Sequence, residues 1–354
     1  MKILAIETSC DETSAAVVKD GPSTELGTRV NVLSNVIASQ IEFHKKYGGI
    51  VPEIASRLHA EIISLIIQDA LDRAKITLKE IDAVAVTYGP GLVGSLIVGV
   101  SAAKALAYAL KKPLIGINHL EGHIYANFLA TPSYSLSLPV FPFITLLVSG
   151  GHTSLVLVKG HGSYETIGRT RDDAAGEAYD KIARFLKIGY PGGPIIDKLA
   201  KEGNPNAIQF KRPMLEDEYG LDFSFSGLKT GVVNLVNKAG GIESFSSGTT
   251  LADLCASFQQ TVVDVLVGKS LKAAELHHCK TIALAGGVSA NSALRQELKA
   301  KAEAKGITVH IPPFEYCTDN AAMIGAAAYY KYLNLSFDIG HLSFQLSPVA
   351  SLKL

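Results

Sequence analysis

Along the 354-residue chain, apolar residues recur either every second position, in short unbroken runs, or as stripes three to four positions apart. The first two patterns read as strands and the third as helices. In the first half they predict strands over Ile3–Ile6, Ala15–Val18 and 30–40. An amphipathic helix follows over roughly Pro52–Ala74, whose "EIISLIIQDAL" carries the stripe. Then come a strand "DAVAVTY", a helix over Val93–Leu110, a strand "PLIGIN" and a helix over 120–130. After a proline-rich stretch the order restarts with strands "FITLLVS", "LVLVKG" and "SYETIGR". A helix over 250–276, strand "KTIALAG", helix 289–305, strand "ITVHI" and helix 319–333 complete it.

Both halves thus read strand–strand–strand–helix–strand–helix–strand–helix, each opening on a hairpin with a small, polar turn. Such an internal repeat predicts an α/β protein of two duplicated actin-like (ASKHA, RNase H-like) domains with an interdomain cleft that clasps a nucleotide. The expected boundaries are 1–131 and 132–354. Residues from about 188 to 248 fall outside the repeat and read as an insertion in the second half.

Composition narrows the class. Hydrophobic residues make up 47% of the chain and mean hydropathy is +0.23, so it is globular and core-forming. Lys and Arg total 33 against 33 Asp and Glu, so overall charge gives no support for nucleic-acid binding and leaves only a local basic patch. The four cysteines lie far apart without a CxxC pair, which fits reduced thiols rather than a disulfide frame or a cysteine zinc site. Two charge-free stretches, Ala83–Ala103 and Ile124–Val158, are broken by Gly, Pro, Ser and Thr, and read as core rather than membrane spans. No leader pattern precedes the first strand. The expectation is a soluble, cytoplasmic protein without a membrane partner.

Several turns carry candidate chemistry. The first, Glu7–Thr13, holds Asp11 and Glu12 among hydroxyls, able to orient a nucleophile or bind a metal; a plain polar turn is the alternative. "LVSGGHT" opens the second half, where Gly150 and Gly151 admit close backbone approach to a ligand and Ser149 adds a hydroxyl. "ALAGGVSAN" is a strand running through a double glycine into a helix, with Ser289 as a candidate N-cap. "DDAAGEAYDK" begins with acids suited to a helix start, and "PGGP" follows it. Arg169, Arg171, Lys181, Arg184 and Lys187 form the densest basic run, either a solvated face or an RNA landing surface.

"HLEGH" stands out among the histidines. His119 and His123, four apart and directly after a strand, share one helix face at chelating spacing. Asp319, opening a late helix, is the best third ligand, with helix capping as its competing role. The other histidines, His44, His59, His161, His277, His278, His310 and His341, read as ordinary core or surface residues. The spacing also matches the zinc-protease pattern H-E-x-x-H. There the glutamate follows the first histidine directly, whereas Glu121 lies about 200° round the helix from His119 and faces away from the ion.

Taken together, "ETSCDET", "GGIVPEIASRLH", "GPGLVGSL", "HLEGH", "LVSGGHT", "DDAAGEAYDK", "YPGGP", "DFSFSGLKT", "AGGVSAN" and "CTDNAAMI" closely resemble the bacterial TsaD family, once labelled an endopeptidase. The likeness runs in order to about residue 332. It implies transfer of a threonylcarbamoyl group from threonylcarbamoyl-AMP to the exocyclic amine of the tRNA adenosine 3′ of the anticodon, releasing AMP. It further implies one divalent ion, Fe2+ or Zn2+, on His119, His123 and Asp319. The adenylate would lie on Leu147, Val148, Ser149, Gly150, Gly151, Asp180, Gly193, Asp197 and Asn291, with Asp11 and Glu12 needed for activity. The implied partners are tRNA, a TsaB-like paralogue, a TsaE-like ATPase and an upstream threonylcarbamoyl-AMP synthase. An ATP-hydrolysing scaffold of the same fold and a metallo-endopeptidase are the competing readings.

Overall fold

The structure, a computed structural model, describes residues 1–24, 27–130, 138–215, 217–241, 250–334 and 345–354. The chain divides into two compact units, Met1–Pro139 with Pro312–Leu354, and Val140–Ile311.

In the first unit, strands β1 (Lys2–Glu7), β2 (Glu12–Thr24), β3 (Gly27–Ser39), β4 (Ala83–Gly89), β5 (Leu114–Asn118) and β6 (Leu129–Ala130) form one sheet in the order β5-β4-β1-β2-β3-β6. β2 runs antiparallel to β1 and β3, while β4 and β5 run parallel to β1. The helices are α1 (Ile41–Lys45), α2 (Pro52–Ala74), α3 (Val93–Leu110) and α4 (His119–Tyr125). Alternation along β1 and β2 sends Leu4, Ile6, Ala15 and Val17 into one core with Ile67, Ala70 and Leu71 of α2 and Val100, Ala103 and Ala107 of α3. Among the described residues α3 is the one helix long and apolar enough to cross a membrane. Its Leu96, Val100, Ala103 and Ala107 are buried within the unit.

The second unit carries β7 (Phe143–Val148), β8 (Thr153–Gly160), β9 (Ser163–Arg169), α5 (Ala175–Phe185), α6 (Gly192–Ala200), α7 (Ser226–Lys238), α8 (Leu251–Leu276), β10 (Thr281–Ala285), α9 (Ser292–Glu303) and β11 (Thr308–His310). Its sheet order is β11-β10-β7-β8-β9, with β7/β8 and β8/β9 antiparallel and β7/β10 and β10/β11 parallel. The two sheets therefore run their first five strands in the same relative order and sense. The fold is mixed α/β with two sheets.

After Pro312 the chain returns to the first unit, where α10 (Ala321–Asn334) covers the sheet face opposite α2 and α3. Gly325 sits so close to this face that a Cβ there would meet Val18 at 2.7 and 2.9 Å. The sequence pattern ran the second domain from 132 to 354. Residues 312–354 instead pack with the first unit, because α10 buries both its apolar sides there, from Ala321 to Tyr330. The expected limit at 131/132 and the insertion's end near 248 lie outside the described residues.

Two local expectations also change. The helix drawn to residue 130 ends at Tyr125, and Leu129–Ala130 leave it to pair with Val30 and Asn31 at the edge of β3. A short apolar run fits either state by periodicity, and the open sheet edge decides it. Asp172 does not start α5. It accepts from Phe225 N, Ser226 N and the Ser224 and Ser226 hydroxyls, and so pins the start of α7. Asp173 pairs with Lys181 at 2.6 Å.

Candidate metal centre

α4 follows β5 directly. Asn118 ends the strand and caps the helix, accepting from Leu120 N at 2.9 Å. Every residue of α4 is buried. Four-residue spacing places the His119 and His123 rings side by side, centroids 4.6 Å apart and edge to face. Asp319 reaches them from just ahead of α10, its Oδ1 3.5 Å from His119 Nε2 and 3.2 Å from His123 Nε2. One donor atom from each of the three lies within 4.8 Å of the others. Capping of α10 falls to Asn320, which accepts from Met323 N, so Asp319 is left for the histidines.

The donor set fits a divalent ion. His123 is fully buried, yet neither of its ring nitrogens makes a hydrogen bond, although Nε2 lies beside Asp319. A buried polar atom without a partner costs stability unless something occupies that direction. Two imidazoles and one carboxylate suit Fe2+ or Zn2+ and leave coordination positions open. Burial holds the His123 pKa below its ordinary value. His119 goes the other way. Burial opposes its charge, but Asp319 and Glu7 outweigh that and raise it to about 9.

Glu7 is the residue the sequence did not single out. It ends β1 with no exposed surface, and its carboxylate accepts from Ser9 N and from Thr87 Oγ1, each at 2.5 Å. Its Oε2 also lies 3.1 Å from His119 Nδ1. Burial pushes its pKa up, and the charge and hydrogen bond of His119 more than reverse this, leaving it lowered. The only signal in the sequence is an acid closing an apolar strand. Glu121, by contrast, is not one of the cluster, and its charge is felt at Tyr88.

The acids of the first turn lie in the same unit. Asp11 is 7% exposed. Glu12 accepts from Ser39 Oγ, and burial, then the charges of Asp11 and Asp319, raise its pKa well above the ordinary value. The turn is tethered from below: His59 bonds Cys10 O at 3.0 Å and Thr13 Oγ1 at 2.7 Å, and Gln40 links it to His44. Both histidines are buried core residues with satisfied rings. On its other side the turn meets Gly91, where a Cβ would sit 2.5 Å from Ser9 O. Residues 345–354 strap this region, through Val349 N to Tyr88 O, Gly91 N to Ala350 O and Asn118 Nδ2 to Lys353 O.

The residues expected to hold a nucleotide all fall in the second unit: Leu147–Gly151 end and follow β7, Asn291 follows β10, Asp180 lies on α5, and Gly193 and Asp197 lie on α6. Leu147 and Val148 are buried in β7 and lead into a tight turn, in which Ser149 accepts from His152 N and Gly150 and Gly151 are exposed. Gly286, at φ +88, presses on Val148 O, and Gly176 of α5 on Ser149 O, so both positions exclude a side chain. Asp180 accepts from Gly192 N beside Gly193, whose Cβ direction is open. Asp197 accepts from Ser292 Oγ at 2.9 Å. Asn291, not Ser289, caps α9. In the basic run, Arg171 is spent on Asp222 and Lys181 on Asp173 and Glu177.

Residues 31–326 match the family model described as TsaD: tRNA N6-adenosine threonylcarbamoyltransferase. A Clostridium kluyveri protein called tRNA N6-adenosine threonylcarbamoyltransferase is 53% identical over all of this chain and 98% of its own length. One of the same name from Moorella thermoacetica is 56% identical over 95% of this chain and 93% of its own. Among solved structures, T. kodakarensis HypF superposes with a TM-score of 0.60 at 14% identity, covering 94% of this chain and 47% of that one. That likeness concerns the fold.

Proposed function

Since the chain belongs to the TsaD family of tRNA N6-adenosine threonylcarbamoyltransferases, acyltransferases acting on tRNA, we propose that its catalytic parts are those named above. The matching strand order of the two sheets supports two copies of one actin-like domain. In this reading His119, His123 and Asp319 hold one Fe2+ or Zn2+. Leu147 to Gly151, Asp180, Gly193, Asp197 and Asn291 hold the adenylate of threonylcarbamoyl-AMP. When bound, the ion supplies Lewis-acid polarisation of a donor oxygen. The N–H groups of the exposed Gly150–Gly151 turn stabilise charge growing on the departing AMP phosphate. Asp11 orients, or takes a proton from, the attacking adenosine amine, and Glu12, held toward its neutral form, can donate a hydrogen bond. We further propose a cytoplasmic setting and, as partners, a TsaB-like paralogue, a TsaE-like ATPase and a threonylcarbamoyl-AMP synthase.

The observation that carries the ion reading is the fully buried, unbonded pair of His123 nitrogens beside Asp319. The test is purified protein with the proposed partner proteins, given preformed threonylcarbamoyl-AMP, ATP and unmodified tRNA. Modified adenosine in the digested tRNA, lost with His123→Ala, is expected; ATP turned over with no modified adenosine would leave a scaffold. The peptidase reading lacks its base in register, because Glu121 stands two residues after His119, about 200° round α4, where that pattern needs a glutamate directly after the first histidine.

A further inference from the structure

We propose that Glu7 is a positioning residue for the ion: its carboxylate holds the His119 ring so that Nδ1 keeps its proton and Nε2, the nitrogen that gives up a proton when an ion binds, points toward Asp319 and His123. This rests on the reading of those three residues as ligands.

The hydrogen bonds leave one consistent assignment. A carboxylate only accepts. Ser9 N–H donates to Oε1 of Glu7 and the Thr87 hydroxyl to Oε2, so the acid is fixed from two strands' ends and cannot swing. Its Oε2 lies 3.1 Å from His119 Nδ1, so that nitrogen must be the donor. Ser9 Oγ, also 3.1 Å from Nδ1, accepts from the same proton. The far nitrogen, Nε2, is then the one that faces Asp319 Oδ1 at 3.5 Å. His123 has no such support on either nitrogen. One ligand is therefore aimed before any ion arrives and the other is not.

Charge agrees with geometry. Two neutral imidazoles and Asp319 present one negative charge to a divalent ion. Glu7 supplies the second through the ring it bonds, without touching the ion. A carboxylate behind a ligating histidine fixes ring and tautomer and makes the ligand nitrogen more basic.

Glu7→Gln separates these roles from mere space-filling, because the amide has nearly the same shape and cannot satisfy its neighbours. With its oxygen toward Ser9 N–H, its NH2 faces Nδ1 and imposes the tautomer with a proton on Nε2, which blocks the ligand. With the amide flipped, NH2 meets the N–H of Ser9 in a site with no exposed surface.

The experiment uses full-length, metal-free protein titrated with Zn2+ against a chelating indicator, with long-range 1H–15N spectra of histidine-labelled, zinc-loaded samples. Wild type should bind one Zn2+ with His119 protonated on Nδ1. Glu7→Gln should bind about 10–100-fold more weakly, with the Nδ1 proton signal of His119 lost. Should that variant fail to fold, the wild-type spectrum still decides, since Zn2+ on Nδ1 of His119 would overturn the assignment. Glu7→Gln binding within twofold of wild type, with an unchanged His119 signal, would overturn the role of Glu7 and leave the ligands standing. Wild type that binds no Zn2+, or His123→Ala that binds it equally well, would overturn the ligand reading, and this inference with it.

Discussion

Gly325→Ala tests whether the seat of α10 on its sheet is as tight as the structure describes. Alanine is the better helix former, by roughly 1 kcal/mol in an exposed helix interior. Here its Cβ would stand 2.7 and 2.9 Å from the two methyls of Val18 and 3.4 Å from the Ala5 Cβ. Carbon pairs rest at about 3.5–4.0 Å, so the helix or the strand has to move. Val18 is fully buried in a strand paired on both sides, and a β-branched side chain has little rotamer freedom. Overpacking of this kind costs about 1–3 kcal/mol. Subtracting the propensity gain leaves a net loss of up to about 2 kcal/mol, or as much as roughly 6 °C in Tm. The strain should also displace Asp319, which lies just ahead of the same helix, and weaken Zn2+ binding. Thermal unfolding of Gly325→Ala, Val18→Ala and the double variant is the assay. The double variant should lose less than the sum of the two, because removing the valine methyls makes room for the new one. A Gly325→Ala protein more stable than wild type, or strict additivity, would refute the packing argument.

Stripping divalent metal with a chelator should lower the Tm of wild type and leave His123→Ala unmoved; at an ion concentration a hundredfold above Kd the difference is about 2.7 kcal/mol, roughly 5–10 °C. Asp11→Ala should keep Zn2+ stoichiometry and lose transfer from preformed threonylcarbamoyl-AMP, and normal transfer would end the role given to Asp11. His161 packs edge-on to Phe141, and burial lowers its pKa from 6.5 to about 4. The unfolded chain therefore takes up a proton that the folded one refuses, and stability present above pH 6.5 is lost as pH falls toward 4. His161→Phe should flatten that slope in urea unfolding midpoints measured across the window.

Much of this was legible in the residues. The bounds of α2 and α3 match the expected Pro52–Ala74 and Val93–Leu110, because long periodic stripes leave little choice. His119 and His123 were legible because their relation is local, four residues on one helix. Glu7 was not, since its partners Thr87 and His119 are 80 and 112 residues away and an acid at a strand end is common. The caps show the same limit. Ser289 and Asp319 are plausible cap letters, but backbone geometry gives the roles to Asn291 and Asn320. The return of residues 312–354 to the first unit was equally hidden, as periodicity says which face of α10 is apolar and not which sheet it covers.

That return has a consequence for biosynthesis. The histidines of α4 emerge from the ribosome early, and the whole second unit is translated before Asp319 appears. At about 5–20 residues per second, the pair waits on the order of ten seconds or more for its carboxylate. Over that interval one face of the first sheet also lacks α10 as its cover. A nascent or prematurely terminated chain can therefore present two histidines but not the full donor set. If the three residues hold an ion as proposed, metal loading is a late event, and an occupied site certifies that the polypeptide was read through at least to Asp319.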